Sequence, residues 1–329
     1  MARFKLENFM NNKKLFVALT LAGTCGLGAQ ATQIGTLLSE WNVVTSGNLT
    51  GVTDVQGNVY VGGNYTVANS TDIGTSDSNV MPAGNVSLAV AGNFSTGNPS
   101  HVNAGNAVVG GTVTGTINMN SGGTLTHGNP AALPSSPVAA ITSASLYWST
   151  LGANSSFSTA NNQINFVCNN NQNVAVFNLT ASQLFAQNQS LSLTAAAITK
   201  NIIINVSGIS VAEFNSENFL GAFTSWGSKV VFNFYQATTV SLPGSSLYGY
   251  IVAPGAAVTA NSPIVGGVMA STLSTSSEVE LSGTPCYSDL PDVPTTTPNV
   301  PAVPDASATA LLLGIALSGA AALRHKLTR

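Results

Sequence analysis

The side chains capable of chemistry are few and scattered. The body of the chain holds two histidines, His101 and His127, each in Gly- and Asn-rich text. A nucleophilic triad would need one of them beside a serine and a carboxylate. Serines are so abundant here that such a grouping carries no weight, and the chain reads as non-enzymatic, with no catalytic residue assigned. No H-E-x-x-H, P-loop, G-x-G-x-x-G turn or paired CxxC occurs, so no cofactor and no resident metal is expected. The segment TDIGTSDSN offers Asp72, Asp77 and Asn79 as oxygen ligands for calcium, a hard cation. The spacing is not that of an EF-hand, and a solvated loop is the plainer reading. Asp54, just before a strand, reads as a corner hydrogen bond. Thr112, Thr114 and Thr116 make a short hydroxyl row of the kind an ice-binding surface would use. Aligned threonines do not recur in the other clean strands, so this row reads as β-branched residues on an exposed strand.

Charge is scarce and segregated. Charged residues are 6% of the 329, against about 25% in an average globular protein. Arg3, Lys5, Lys13 and Lys14 precede the first apolar run, and Arg324, Lys326 and Arg329 follow the last. Between them stand only Lys200 and Lys229, against ten acids from Glu40 to Asp292, a net charge of −8. Such a body has no basic footprint for nucleic acid.

Strand text dominates the first half. Val55, Gly57, Val59, Val61, Gly63, Tyr65 and Val67 alternate with polar residues. The same period of two returns over Val86–Phe94 and Val109–Met119, which predicts strands with one buried face. Gly-Asn pairs begin at Gly47, Gly57, Gly63, Gly84, Gly92, Gly97, Gly105 and Gly128 and read as corners, both residue types tolerating positive φ. Many short strands with such corners predict a mainly β fold, a β-solenoid of stacked coils rather than a sandwich, although no fixed repeat length is visible.

After Pro130 the text changes. Ser136-Pro137 opens a helix whose Val138, Ile141, Ser145, Trp148 and Gly152 share one face, expected to pack on the sheet. Further strands are expected at 164–168, 174–179, 202–206 and 230–235. Thr180 and Gln183 read as a capping box for a short helix.

Both termini read as addresses. Basic residues, an apolar run from Leu15 to Gly28 and Ala29-Gln30-Ala31 form a signal peptide over 1–31, with Ala29 and Ala31 marking cleavage. Residues 32–284 form the β domain, and 285–304 are a Pro/Thr-rich linker of extended character. In the tail, 305–329, the uncharged run 306–323 is long enough for a transmembrane helix, about 27 Å at 1.5 Å per residue. The basic end after it should stay cytoplasmic. Export leaves Cys168 and Cys286 in an oxidising compartment, where the sequence does not decide whether they pair.

Val303-Pro304-Asp305-Ala306-Ser307, the apolar run and the basic end Arg324, Lys326 and Arg329 together resemble PEP-CTERM sorting tails, especially VPDSG-like variants; Ala306-Ser307 departs from the usual Ser/Gly pair. The resemblance implies processing by an exosortase-type membrane enzyme and transient residence in the inner membrane. The stretches WNVVTSGNLTGVTDVQGNVYVGGNYTV, LYGYIVAPGAAV and IVGGVMASTL are similar to the choice-of-anchor A domain. That resemblance implies a right-handed β-helix with an accompanying helix, as in ice-binding-like adhesins. It implies an exported bacterial surface or matrix protein, adhesive, with exopolysaccharide or a cell-surface glycan as candidate partner. Its rivals are an ice-binding protein and a β-helix polysaccharide-active enzyme. The enzyme would need clustered carboxylates in one groove, and the strand faces show too few.

Overall fold

The computed structural model describes residues 33–294 except 77–79, 83, 187–189, 213–217 and 243. The signal segment with Ala29 and Ala31, the sorting motif Val303–Ser307, the span 306–323 and the basic end lie outside the described residues, as do Asp77 and Asn79. The described residues up to Pro291 belong to one compact unit, which contains all the strands and helices described.

Twenty-one strands join into one sheet, and every described pairing within it is parallel. The sheet winds around three sides of an apolar interior, as the expected stack of coils requires. The stacking order is not the chain order. On one side the inward row runs Leu125, Ala107, Leu88, Val59, Val43, then Val268, Ile251, Phe232, Ile204 and Phe177. The first five come from the N-terminal half, which builds outward from the middle. The chain then crosses to the far end, and the C-terminal half builds back until 268–270 zip against Val43–Thr45. A second sheet of Ser156–Ala160, Gln163–Val167, Ser190–Thr194 and Asn218–Gly221 accompanies the C-terminal coils.

The alternating text is legible in the result, with one change. Val55–Val67 and Val109–Met119 are not single strands. Each is bent into three short ones, Asp54–Val55, Val59–Val61 and Tyr65–Val67 in the first case, and Asn106–Val109, Val113–Thr114 and Ile117–Met119 in the second. The period of two survives the corners, because every second residue must still point at the same interior. Val55, Val59, Val61, Tyr65 and Val67 all lie in the core.

One side of the prism is covered. Helix α1 (Ile34–Glu40) and helix α2 (Val138–Ser149) pack on its outward residues, burying Ile141, Ala144 and Trp148 with Val44, Tyr60, Ala89, Val252 and Met269. Of the expected helical stripe, Ile141, Ser145 and Trp148 are buried and Val138 is half-buried, while Gly152 lies past the helix end and is exposed. Residues 286–291 strap the layer down. Tyr287 and Leu290 are buried in it, and Trp148 Nε1 donates to Pro291 O at 2.9 Å. Helix α3 (Ala181–Leu184) carries the expected capping box: Gln183 N donates to Thr180 Oγ1 and Thr180 N to Gln183 Oε1.

Candidate functional site

Among the described residues the second side of the prism has no helix over it, and its outward positions are nearly uniform. The register places Thr114, Ser95, Thr66, Thr50, Ser274, Thr259, Ser241 and Ala212 side by side on eight successive strands. Seven of the eight carry a hydroxyl. At the usual spacing of about 4.8 Å between strands the row is roughly 34 Å long. Beneath it Val113, Phe94, Tyr65, Leu49, Leu273, Val258, Val240 and Val211 form the matching inward row and hold the face rigid. No residue of the row is charged, and the row crosses without a break from Thr50 in the first half of the chain to Ser274 in the second.

A parallel row two residues upstream runs Thr112, Asn93, Asn64, Asn48, Thr272, Ala257, Thr239 and Ser210. Its asparagines form a ladder: Asn64 N donates to Asn48 Oδ1 (2.9 Å), Asn93 N to Asn64 Oδ1 (2.8 Å) and Thr112 N to Asn93 Oδ1 (2.9 Å). This ladder explains the Gly-Asn pairs at Gly63 and Gly92 better than positive φ does, because neither glycine adopts one. A Cβ at Gly63, Gly92 or Gly111 would run into the Asn Oδ1 of the coil below. The dipeptide is Gly for close approach followed by Asn for the ladder. Gly84, Gly105 and Gly128 do have positive φ, as expected of corners.

The expectation that aligned threonines do not recur is therefore corrected. Serine substitutes for threonine along the row, and uneven coil lengths hide the alignment. Thr114 and Thr112 take places in the two rows. Thr116 does not, because Gly115 (φ 94°) turns the chain onto the third side of the prism.

That third side gathers carboxylates. Asp54 and Asp72 are register partners, and Glu278 and Glu280 flank Val279, which pairs with Val55. More acids therefore share one face than the strand text suggested; Glu278 and Glu280 were missed because more than 200 residues separate them from Asp54. Burial, then the neighbouring Glu278 and Asp72, push the Asp54 carboxyl up, while a hydrogen bond from Thr75 Oγ1 (3.2 Å) offsets part of this. Glu280 is pushed up by burial and then by Glu278 and Asp54. Asp54 thus makes the expected kind of side-chain hydrogen bond, but among like charges.

Comparison with known proteins bears on the whole of this body. Residues 35–281 match the model of a family described as "Putative Ice-binding-like adhesive domain". The chain belongs to this family. No curated protein and no solved structure matches the chain. For an adhesive domain, an open sheet side with an unbroken hydroxyl row is the candidate contact surface, and a protein bearing such a domain is one that presents it at a surface.

The remaining candidate residues of this adhesive domain are dispersed. His101 stands beside Asp72 in register, with Nδ1 3.3 Å from Asn120 Nδ2 and no serine hydroxyl bonded to its ring among the described residues. His127 ends the outermost strand of the covered side. No group of three His, Cys, Asp or Glu among the described residues is arranged to hold a metal ion. Cys168 is buried and Cys286 exposed, and they are not bonded to each other; burial pushes the Cys168 thiol up. Among the described residues no helix is long and apolar enough to cross a membrane.

Proposed function

We propose that this chain is an exported bacterial surface adhesin that lays its hydroxyl side against a hydroxyl-rich polymer, an exopolysaccharide or a cell-surface glycan, and that it catalyses no reaction. The observation that carries this is the row of seven hydroxyls on eight strands, uncharged and, among the described residues, uncovered. Each hydroxyl both donates and accepts, as does each hydroxyl of a sugar polymer. Threonine is stiff at χ1 and the sheet beneath is rigid, so little side-chain freedom is lost on contact. Many weak contacts at a regular spacing then add up along an extended partner. Delivery fits the same reading: the signal segment, the Val303–Ser307 motif, the apolar run 306–323 and the basic end suit export and handover to an exosortase-type enzyme.

The direct test is binding of the full chain, at micromolar concentration, to insoluble exopolysaccharide and to producer cells. Retention is expected, and binding to neither would overturn the reading. For the delivery route, mass-spectrometric mapping of the C-terminus of protein from producing cells should find everything beyond about Asp305 removed. An intact Arg329 would contradict it.

A second reading is ice binding, favoured by the same regular rows of hydroxyls and threonine methyls. Thermal hysteresis by the full chain, lost when Thr66 and Thr259 are replaced by lysine, would put ice in the place of the glycan.

A further inference from the structure

A separate site opens at the edge between the helix-covered and hydroxyl sides, near the far end of the C-terminal coils. There the C-terminal end of helix α2, helix α3 and three successive coils leave a notch of about 260 Å³, lined among others by Ser149, Asn178, Thr180, Gln183, Asn205 and Tyr235. No lining residue is charged. The volume falls just below the roughly 300–1,000 Å³ of sites for drug-sized ligands, so a single small unit fits it.

Its floor is preorganised by an amide ladder. Asn233, Asn205 and Asn178 are register partners on adjacent strands. Asn233 Nδ2 donates to Asn205 Oδ1 (2.8 Å), and Asn205 Nδ2 donates to Asn178 Oδ1 (2.9 Å) and to Trp148 O (2.8 Å). Asn178 Nδ2 donates to Leu151 O (3.0 Å). The amide orientations are thus fixed, and Asn178, at the exposed end, keeps one N–H and one lone pair. Gln183 spends its Oε1 on the Thr180 cap, leaving both Nε2 hydrogens without a partner among the described residues. The half-buried Tyr235 likewise has no partner there for its hydroxyl. Ser149 Oγ donates to Leu146 O and remains an acceptor.

We infer that this notch binds one neutral sugar unit, recognised by the Asn178 and Gln183 amides and the Tyr235 hydroxyl and ring. Fixed amides, the free Tyr235 hydroxyl and an aromatic ring match a ring of alternating hydroxyls and C–H groups, with an apolar surface to set against the tyrosine and no charge to balance. An anionic sugar or a phosphate would find no cation among the lining residues, on a body of net charge −8. The inference does not need the hydroxyl side to bind anything.

The test is saturation-transfer NMR and titration on the full chain, with glucose, galactose, mannose, N-acetylglucosamine and glucuronate as probes. At least one neutral sugar should bind and glucuronate should not. Gln183→Glu keeps the acceptor that the Thr180 cap needs but removes both free N–H groups. Tyr235→Phe keeps the ring and removes the hydroxyl. Each should weaken binding about tenfold, while Thr66→Lys leaves it unchanged. Three results would each overturn the assignment: no neutral sugar binding at about 50 mM, where a site of about 1 mM Kd would be nearly saturated; equal binding by Gln183→Glu and the parent; or loss of binding in Thr66→Lys alone. Failure here with polymer still retained would leave the adhesive reading of the hydroxyl side standing.

Discussion

The helix-covered and hydroxyl sides are built from the same coils on the same kind of inward row, yet they do opposite things outward. On the covered side the outward row reads Val108, Ala89, Tyr60, Val44, Met269 and Val252, and it ends in Asn233, Asn205 and Asn178. Its apolar part is sealed by the two helices, and its amides are matched to backbone carbonyls at the end of helix α2. On the hydroxyl side the outward row has nothing over it among the described residues, and no apolar stripe that would need covering. One row serves stability and the other is free to serve recognition. Substitutions on the two sides should therefore separate stability from binding.

The largest effect is expected from Trp148→Ala. It removes a fully buried ring and leaves Pro291 O without its donor, and should cost about 3–5 kcal/mol in denaturant unfolding. Asn205→Ala should cost somewhat less, about 2–4 kcal/mol. It takes the acceptor from one Asn233 N–H and a donor each from the Asn178 amide oxygen and the Trp148 carbonyl, and opens a gap beneath the helix. Neither change touches the hydroxyl side, so at temperatures where these variants remain folded, binding to the polymer should persist.

How much of this was legible in the sequence differs by side. The covered side could be read: Ile141, Ser145 and Trp148 lie on the expected helix face, and the inward alternation ran visibly through Val55–Val67. The hydroxyl row could not. Its members are single outward residues of strands only two to four residues long, or short parts of longer ones. The register partners Val43, Val59, Leu88, Ala107 and Leu125 are spaced unevenly, so no period lines the hydroxyls up. The seam between Thr50 and Ser274 joins the two halves of the chain, and nothing local announces it. The Gly-Asn pairs were visible, but their reason was not, since the Asn48, Asn64 and Asn93 ladder needs the coil above to exist. The same distance in sequence hid Glu278 and Glu280 from Asp54.

A smaller effect should come from the third, acidic side. The folded state holds Asp54 and Glu280 above their ordinary pKa values of 3.8 and 4.5, so it binds protons more readily there than the unfolded chain does. Their contribution to stability is accordingly best at acid pH, and it is lost as pH rises through and above the ordinary carboxylate range. Asp54→Asn should flatten that fall and leave the protein slightly more stable at neutral pH, as thermal melts across pH 4–7 would register. Both groups are only partly buried, so solvent screening keeps the effect small.

The smallest stability change, and the largest functional one, is expected on the hydroxyl side. Thr66 and Thr259 are both exposed in the row, so replacing each by lysine should shift unfolding by no more than about 0.5 kcal/mol per site. The most direct test of the account is to measure polymer and cell binding by the full-length Thr66→Lys/Thr259→Lys variant beside the parent chain, with unfolding curves for both. The account predicts matching unfolding curves and loss of binding in the variant. Undiminished binding by a variant that unfolds like the parent would contradict the assignment of the hydroxyl row as the adhesive surface.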